Sequence, residues 1–177
     1  MAQIYSIVRN GHQQKKFRAK LKTIYNSICP ITGSRDLSNL EAAHVIPFVV
    51  CSSLNPNLAF SEFNGILMNK HIHRKEFETH KFTFDILNYE MFSDTLIQIP
   101  IIIGNDTLNL KVTQYKNKKI KIPKSCLHCL RYHYYEFLHK NKLCNKHVNI
   151  YYLEQIHTID LTGAFDYDHD ALLPDVI

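Results

Sequence analysis

Three side chains frame the chemistry this chain could perform. His44 lies within the apolar run "LEAAHVIP", Asn64 opens "NGILMNKHIH", and His73 ends that second stretch nine residues later. An imidazole with an ordinary pKa of about 6.5 can take a proton from water at neutral pH. A carboxamide can fix the ring's tautomer and orientation, and a second imidazole can ligate a cation. Phosphodiester hydrolysis needs little more than an activated water and a cation on the phosphate and leaving oxygen. The same residues also fit a short strand, a turn and an ordinary helix start, so the surrounding elements must decide.

"HQQKKFRAKLKTIYNS" spaces Phe17, Leu21, Ile24 and Tyr25 on one face, with lysines and Arg18 over much of the rest. This predicts a basic amphipathic helix. The turn-rich "CPITGSRDLSN" follows. "LEAAHVIPF" reads as a strand closed by Pro47, residues 48–63 as an irregular loop, "GILM" as a second strand, and "HIHRKEFETH" as helical. "KFTFDILN", "TLIQIPIII" and "LNLKVTQY" read as further strands. The basic stretch "KNKKIKIPK" leads to a helix from Ser125 to about Lys142, with Leu127, Leu130, Tyr134 and Leu138 in register. A strand, a second strand and a helix in that order can form a ββα unit, with a strand histidine and a helix-start histidine facing across a small cavity. The fold class expected is α+β, as one domain over residues 1–153 with an acidic C-terminal extension at 154–177.

Composition supports a globular protein: of 177 residues, 45% are hydrophobic and 11% aromatic, enough to build a core. No apolar run reaches membrane-spanning length, no secretion signal opens the sequence, and five cysteines at irregular spacing suit a reducing interior. The expected location is therefore cytoplasmic, with no membrane partner. All 21 Lys and Arg fall within residues 1–146 beside 10 Asp and Glu, whereas residues 147–177 carry 6 acids and neither Lys nor Arg. That basic body favours a polyanionic partner, nucleic acid first. A basic protein with a compensating tail is the plainer alternative.

In this context the chain resembles the His-Asn-His (HNH) endonucleases of the ββα-metal fold. It is similar to a branch whose core contains Leu-Glu-Ala-Ala-His-Ile-x-Pro and Asn-Gly-Leu-Leu-Leu. The matching pieces are Arg9-Asn-Gly-His-Gln, Phe17-Arg18, Tyr25, "CPITG", "LEAAHVIP" and "NGILMNKHIH". They cover about residues 9–85, with the ββα core at about 38–80. The resemblance implies an endonuclease that cuts DNA, double-stranded and of restriction type. It makes His44 the general base, Asn64 its positioning residue and His73 a metal ligand. His71 stands where many relatives carry Asp, and Glu41 is the nearest carboxylate on the strand; both are candidate further ligands.

The implied cofactor is one divalent ion, Mg2+ or Mn2+ first, with Zn2+ or Ni2+ also compatible with imidazole ligands. Arg9, Lys16, Arg18, Arg74, Lys118 and Lys119 are the candidate DNA contacts, and a homodimer stays open. Two departures from the family pattern stand out. Ala43 occupies the place where many HNH enzymes put an Asp or His ligand, and the Phe-Asp expected after the last histidine is out of phase in "KEFETHKF", which suggests a one-residue change in that helix. A non-catalytic DNA-binding module on the same fold is thus the rival reading. A second rival is structural zinc on Cys126, Cys129, Cys144 and His147, set against two buried cysteines one turn apart on a helix.

Overall fold

The computed structural model describes residues 11–105 and 110–143, and all structural statements below refer to these. The predicted acidic extension, Arg9, Cys144 and His147 lie outside the described residues. The chain is α+β, as its sequence implies. Helix α1 (Gly11–Ile24) buries Phe17 and Leu21 as its spacing predicts, whereas Ile24, expected on the same face, is exposed at the helix end. Strands β1 (Leu40–His44) and β2 (Gly65–Asn69) pair antiparallel from Leu40↔Asn69 to His44↔Gly65. The chain then enters α3 (Lys70–Ile72), capped by the Asn69 side chain, which accepts from the His71 and Ile72 amides.

The interval between β1 and β2, expected as an irregular loop, folds into helix α2 (Phe48–Leu54) and two 3-10 turns, Pro56–Phe60 and Glu62–Asn64. Pro47 supplies an extended entry to α2. The Ser52 and Ser53 hydroxyls donate back to the Val49 carbonyl, and Cys51 and Ser52 are buried. Packing of that short apolar face overrides the low helix propensity of two valines.

A second layer forms around β5 (Leu96–Ile103), which pairs with β3 (Phe82–Phe84), β4 (Glu90–Met91) and β6 (Lys119–Pro123), all antiparallel. Ile97, Ile99 and Ile101 alternate into the core. Pro100 falls where the β4 register has ended at Gln98 and the β3 register begins at Ile101, so its missing N–H interrupts neither ladder. The basic stretch supplies β6, with Ile120 and Ile122 buried and Lys119 and Lys121 outward. The segment read as a strand before it is instead a 3-10 turn at Lys111–Tyr115. The buried Glu76 carboxylate accepts from the Lys111 and Val112 amides, and this satisfies its start. Helix α4 (Leu127–Lys140) buries Leu127, Leu130, Tyr134 and Leu138 as expected, and packs on β3.

Candidate active site

His44 leaves the end of β1 on the side where α1 crosses. Its ring stacks on Phe17 at 4.6 Å and meets Phe48 and Phe60 edge-on. The close approach of α1 depends on Gly65, the cross-strand partner of His44. A Cβ there would sit 2.7 Å from both Leu21 and Phe17 side-chain carbons. This explains why glycine follows Asn64.

The His44 Nε2 lies 2.8 Å from the Ala59 carbonyl oxygen. A carbonyl only accepts, so Nε2 carries the proton and the basic lone pair is on Nδ1. The tautomer is thus set by a backbone atom of the β1–β2 interval, which no side-chain motif reveals. Asn64, expected to touch the imidazole, acts one step away. It is fully buried; its Oδ1 accepts from the Ile46 amide at 2.7 Å and its Nδ2 donates to the Ile46 carbonyl at 3.0 Å. Nδ2 also lies 3.2 Å from Cys51 Sγ. Asn64 therefore clamps the chain two residues beyond His44 and ties it to α2.

His73 sits in a different setting. Its Nδ1 is 3.1 Å from Glu41 Oε2 and its Nε2 is 3.2 Å from Glu78 Oε1. Arg74 donates to both Glu41 oxygens through Nε, at 2.8 Å, and Nη2. Burial pushes the Glu41 carboxyl upward, but hydrogen bonds from Arg74 and His73 outweigh it and hold the group below the ordinary carboxylate range. His71 does not join this group. Two residues from His73 on a helical segment it points elsewhere, and its Nε2 lies 3.4 Å from Glu76 Oε1.

Glu78 reaches His73 because the chain from His73 to Phe77 is a π turn, marked by the Glu78 amide donating to the His73 carbonyl at 2.9 Å. A π turn carries one extra residue. That is the one-residue phase change suggested by "KEFETHKF", and it sets Glu78 beside His73. The sequence carried the signal without showing where the carboxylate would go.

His44 and His73 do not line a single cavity. His44, Phe48, Phe77, Glu78, His80 and His133 border one of about 210 Å³. Gln14, Arg18, Glu41, His73, Arg74 and Glu78 border another of about 530 Å³. Glu78 belongs to both walls. Glu41 and His44, three apart on β1, leave the strand on opposite faces, which is why the two spaces are distinct.

Behind the first cavity lies a stack of buried rings. His133 lies 3.8 Å from Phe77 and 4.5 Å from His80, both nearly parallel. The ring nitrogens of His133 face Thr83 Oγ1 at 2.9 Å and the Phe77 carbonyl at 3.1 Å. Burial holds His133 well below the ordinary histidine value. Burial and the Lys140 ammonium bring His80 down to about 4 against a weaker opposing pull from the Glu78 backbone. The placement of both rings depends on α4 packing over β3.

The basic candidates are differently employed. Arg18 donates to the Leu37 and Leu40 carbonyls, tying α1 to the start of β1. Lys118 donates to the Ile31 carbonyl and lies over the Tyr115 ring, while Lys119 pairs with Glu90. Arg74 is engaged with Glu41, and Lys16 is exposed on α1. Cys126 and Cys129 are fully buried in the core, where burial pushes the Cys126 thiol up to about 12 and that of Cys129 well above its ordinary value. Both thiols pack within the core.

Among the described residues no three His, Cys, Asp or Glu side chains converge as a ready metal cage. The donor types fit a divalent ion nonetheless: an imidazole flanked by two carboxylates borders one cavity. Glu41 would have to exchange Arg74 for the ion.

The ββα unit carries a carbonyl-oriented histidine on its first strand and a second histidine after its second strand. Residues 29–85 match the family model described as HNH endonuclease. The match encloses Glu41, His44, Asn64, His73, Glu78 and His80. No curated protein and no solved structure gives a match.

Proposed function

We propose that this protein is a metal-dependent endonuclease that hydrolyses phosphodiester bonds of double-stranded DNA, in a restriction-type role. The observation that carries the reading is the Nε2–H tautomer of His44, fixed by the Ala59 carbonyl at the wall of a cavity. In that state Nδ1 takes a proton from water as the water oxygen attacks phosphorus and the bond to the leaving oxygen breaks. A divalent ion bound by His73 and Glu78, which borders both cavities, would supply Lewis acidity and charge neutralisation at the phosphate. Phe17, Phe48 and Phe60 keep the His44 ring from rotating away, so its lone pair remains directed without a reorganisation cost.

The experiment is nicking of supercoiled plasmid in Mg2+, Mn2+, Ni2+ or EDTA, by wild type and His44→Ala. The expected result is metal-dependent nicking that falls at least about a hundredfold in the variant, with DNA binding retained. Equal nicking by both proteins sinks the mechanism. The rival reading, a DNA-binding module without catalysis, is favoured by Ala43 at an expected ligand position and by Arg74 on Glu41. It predicts DNA binding with no metal-dependent product.

A further inference from the structure

Two arginines border the cavity beside His73, and they are held in different ways. Arg18 is tied to the backbone, its Nη2 donating to the Leu37 and Leu40 carbonyls at 3.0 and 2.8 Å. Arg74 is tied to a side chain: its Nε, at 2.8 Å, and its Nη2 grip the Glu41 carboxylate as a fork. The Arg74 side chain is 59% exposed, so solvent screens this pair and a ligand can reach the guanidinium. The same planar fork fits a phosphate as well as a carboxylate, so a change of partner needs no new geometry. Glu41 also faces His73 Nδ1, while Glu78 faces His73 Nε2 and lines both cavities. Around this wall two carboxylates balance two guanidiniums, which leaves no surplus positive charge for a DNA phosphate. A divalent ion beside His73 changes that balance, because it competes for Glu41 and repels Arg74.

We infer that Arg74 is a cation-gated substrate contact. In the ion-free protein it pairs with Glu41; with the ion present it passes its fork to nonbridging oxygens of a DNA phosphate flanking the one beside His44. This rests on the nuclease reading, which brings a cation and a phosphate to the wall shared by the two cavities. Arg74 exchanges no proton in this role; it positions the strand. The consequence is positive coupling, in which ion and DNA each tighten the binding of the other by the same factor.

The test measures binding of a fluorescein-labelled mixed-sequence DNA duplex by anisotropy, in EDTA and in Mn2+. The full chain carries His44→Ala so that the duplex stays intact. Adding Arg74→Ala is expected to change affinity by less than about twofold in EDTA and to weaken it about tenfold in Mn2+. Adding Glu41→Gln instead releases Arg74 without an ion. It is expected to tighten binding in EDTA about fivefold, and the gain should vanish when Arg74→Ala is combined with it. Arg74→Ala acting equally in both media, or a Glu41→Gln gain that is missing or survives the loss of Arg74, overturns the inference. Nicking is read separately on the chain with His44 intact. If that chain nicks in no ion while the Arg74-dependent coupling holds, the nuclease reading falls and the gated contact stands. Nicking without the coupling keeps the reading and removes the gate.

Discussion

The two histidines of this site are held by opposite means. His44 is fixed by a neutral backbone carbonyl and a ring stack, contributed by α1 and by the segment between β1 and β2. His73 is fixed by charge, between Glu41 and Glu78, with Arg74 completing the network. A proton acceptor gains from walls that restrict its orientation without supplying a competing charge. A cation ligand gains from carboxylates that can change partners. The first region should therefore fail when packing is disturbed, and the second should respond to ions.

The largest effect on the packed side is expected from Asn64→Ala. Removing the carboxamide leaves the buried Ile46 amide and carbonyl without their partners, at a cost of about 3 kcal/mol. Chemical denaturation should show that loss together with lost nicking. A variant of wild-type stability would mean that the clamp does not hold the His44 strand. Gly65→Ala comes next. Its methyl group would press on Phe17 and Leu21, destabilising the fold by about 2 kcal/mol. The diagnostic result is a smaller loss when Phe17→Leu is added, since the contact would then be relieved; additive losses would remove Gly65 from the account of how α1 seats on His44.

A pH titration sharpens the same contrast. His80 and His128 fall to about 4 on folding and His133 falls well below its ordinary value, chiefly through burial. The unfolded chain then binds more protons than the native one below about pH 6.5. Stability from these groups is present above that value and is lost as pH falls from about 6.5 toward 4. Melting temperature should decline across that window and level off above it. A flat profile from pH 7 to 4.5 would contradict the neutral buried stack.

The smallest effect on folding is expected from Arg74→Ala, because the guanidinium is 59% exposed and its ion pair is screened. The change should instead appear in cation binding. Without Arg74 the Glu41 carboxylate is open to a divalent ion, so calorimetry should show tighter Mn2+ binding with an unchanged melting temperature. Weaker Mn2+ binding would mean that Arg74 supports the ion and does not compete with it.

Much of this was legible in residue types and spacing. The α1 face, the paired strands and the buried face of α4 follow from short-range periodicity, because alternation and 3.6-residue spacing show directly which positions meet a core. The HNH resemblance placed His44, Asn64 and His73 on the right elements, and the phase slip after His73 foretold the π turn. Other features were hidden because their cause is distant in sequence. The Lys111–Tyr115 segment looks like a strand until Glu76 caps it, and "VVCSSL" looks irregular until α2 packs beside Asn64.

What the sequence by itself determined is therefore the set of elements and the chemical types they carry, since local patterns suffice for both. Only the tertiary structure decided that Ala59 holds the His44 ring, that Glu78 reaches His73, that Arg18 and Lys118 serve the fold, and that His80 borders the His44 cavity. Each of these depends on a backbone carbonyl, an added helical residue or a contact across elements. Such relations have no local periodicity and exist only once the chain has closed on itself.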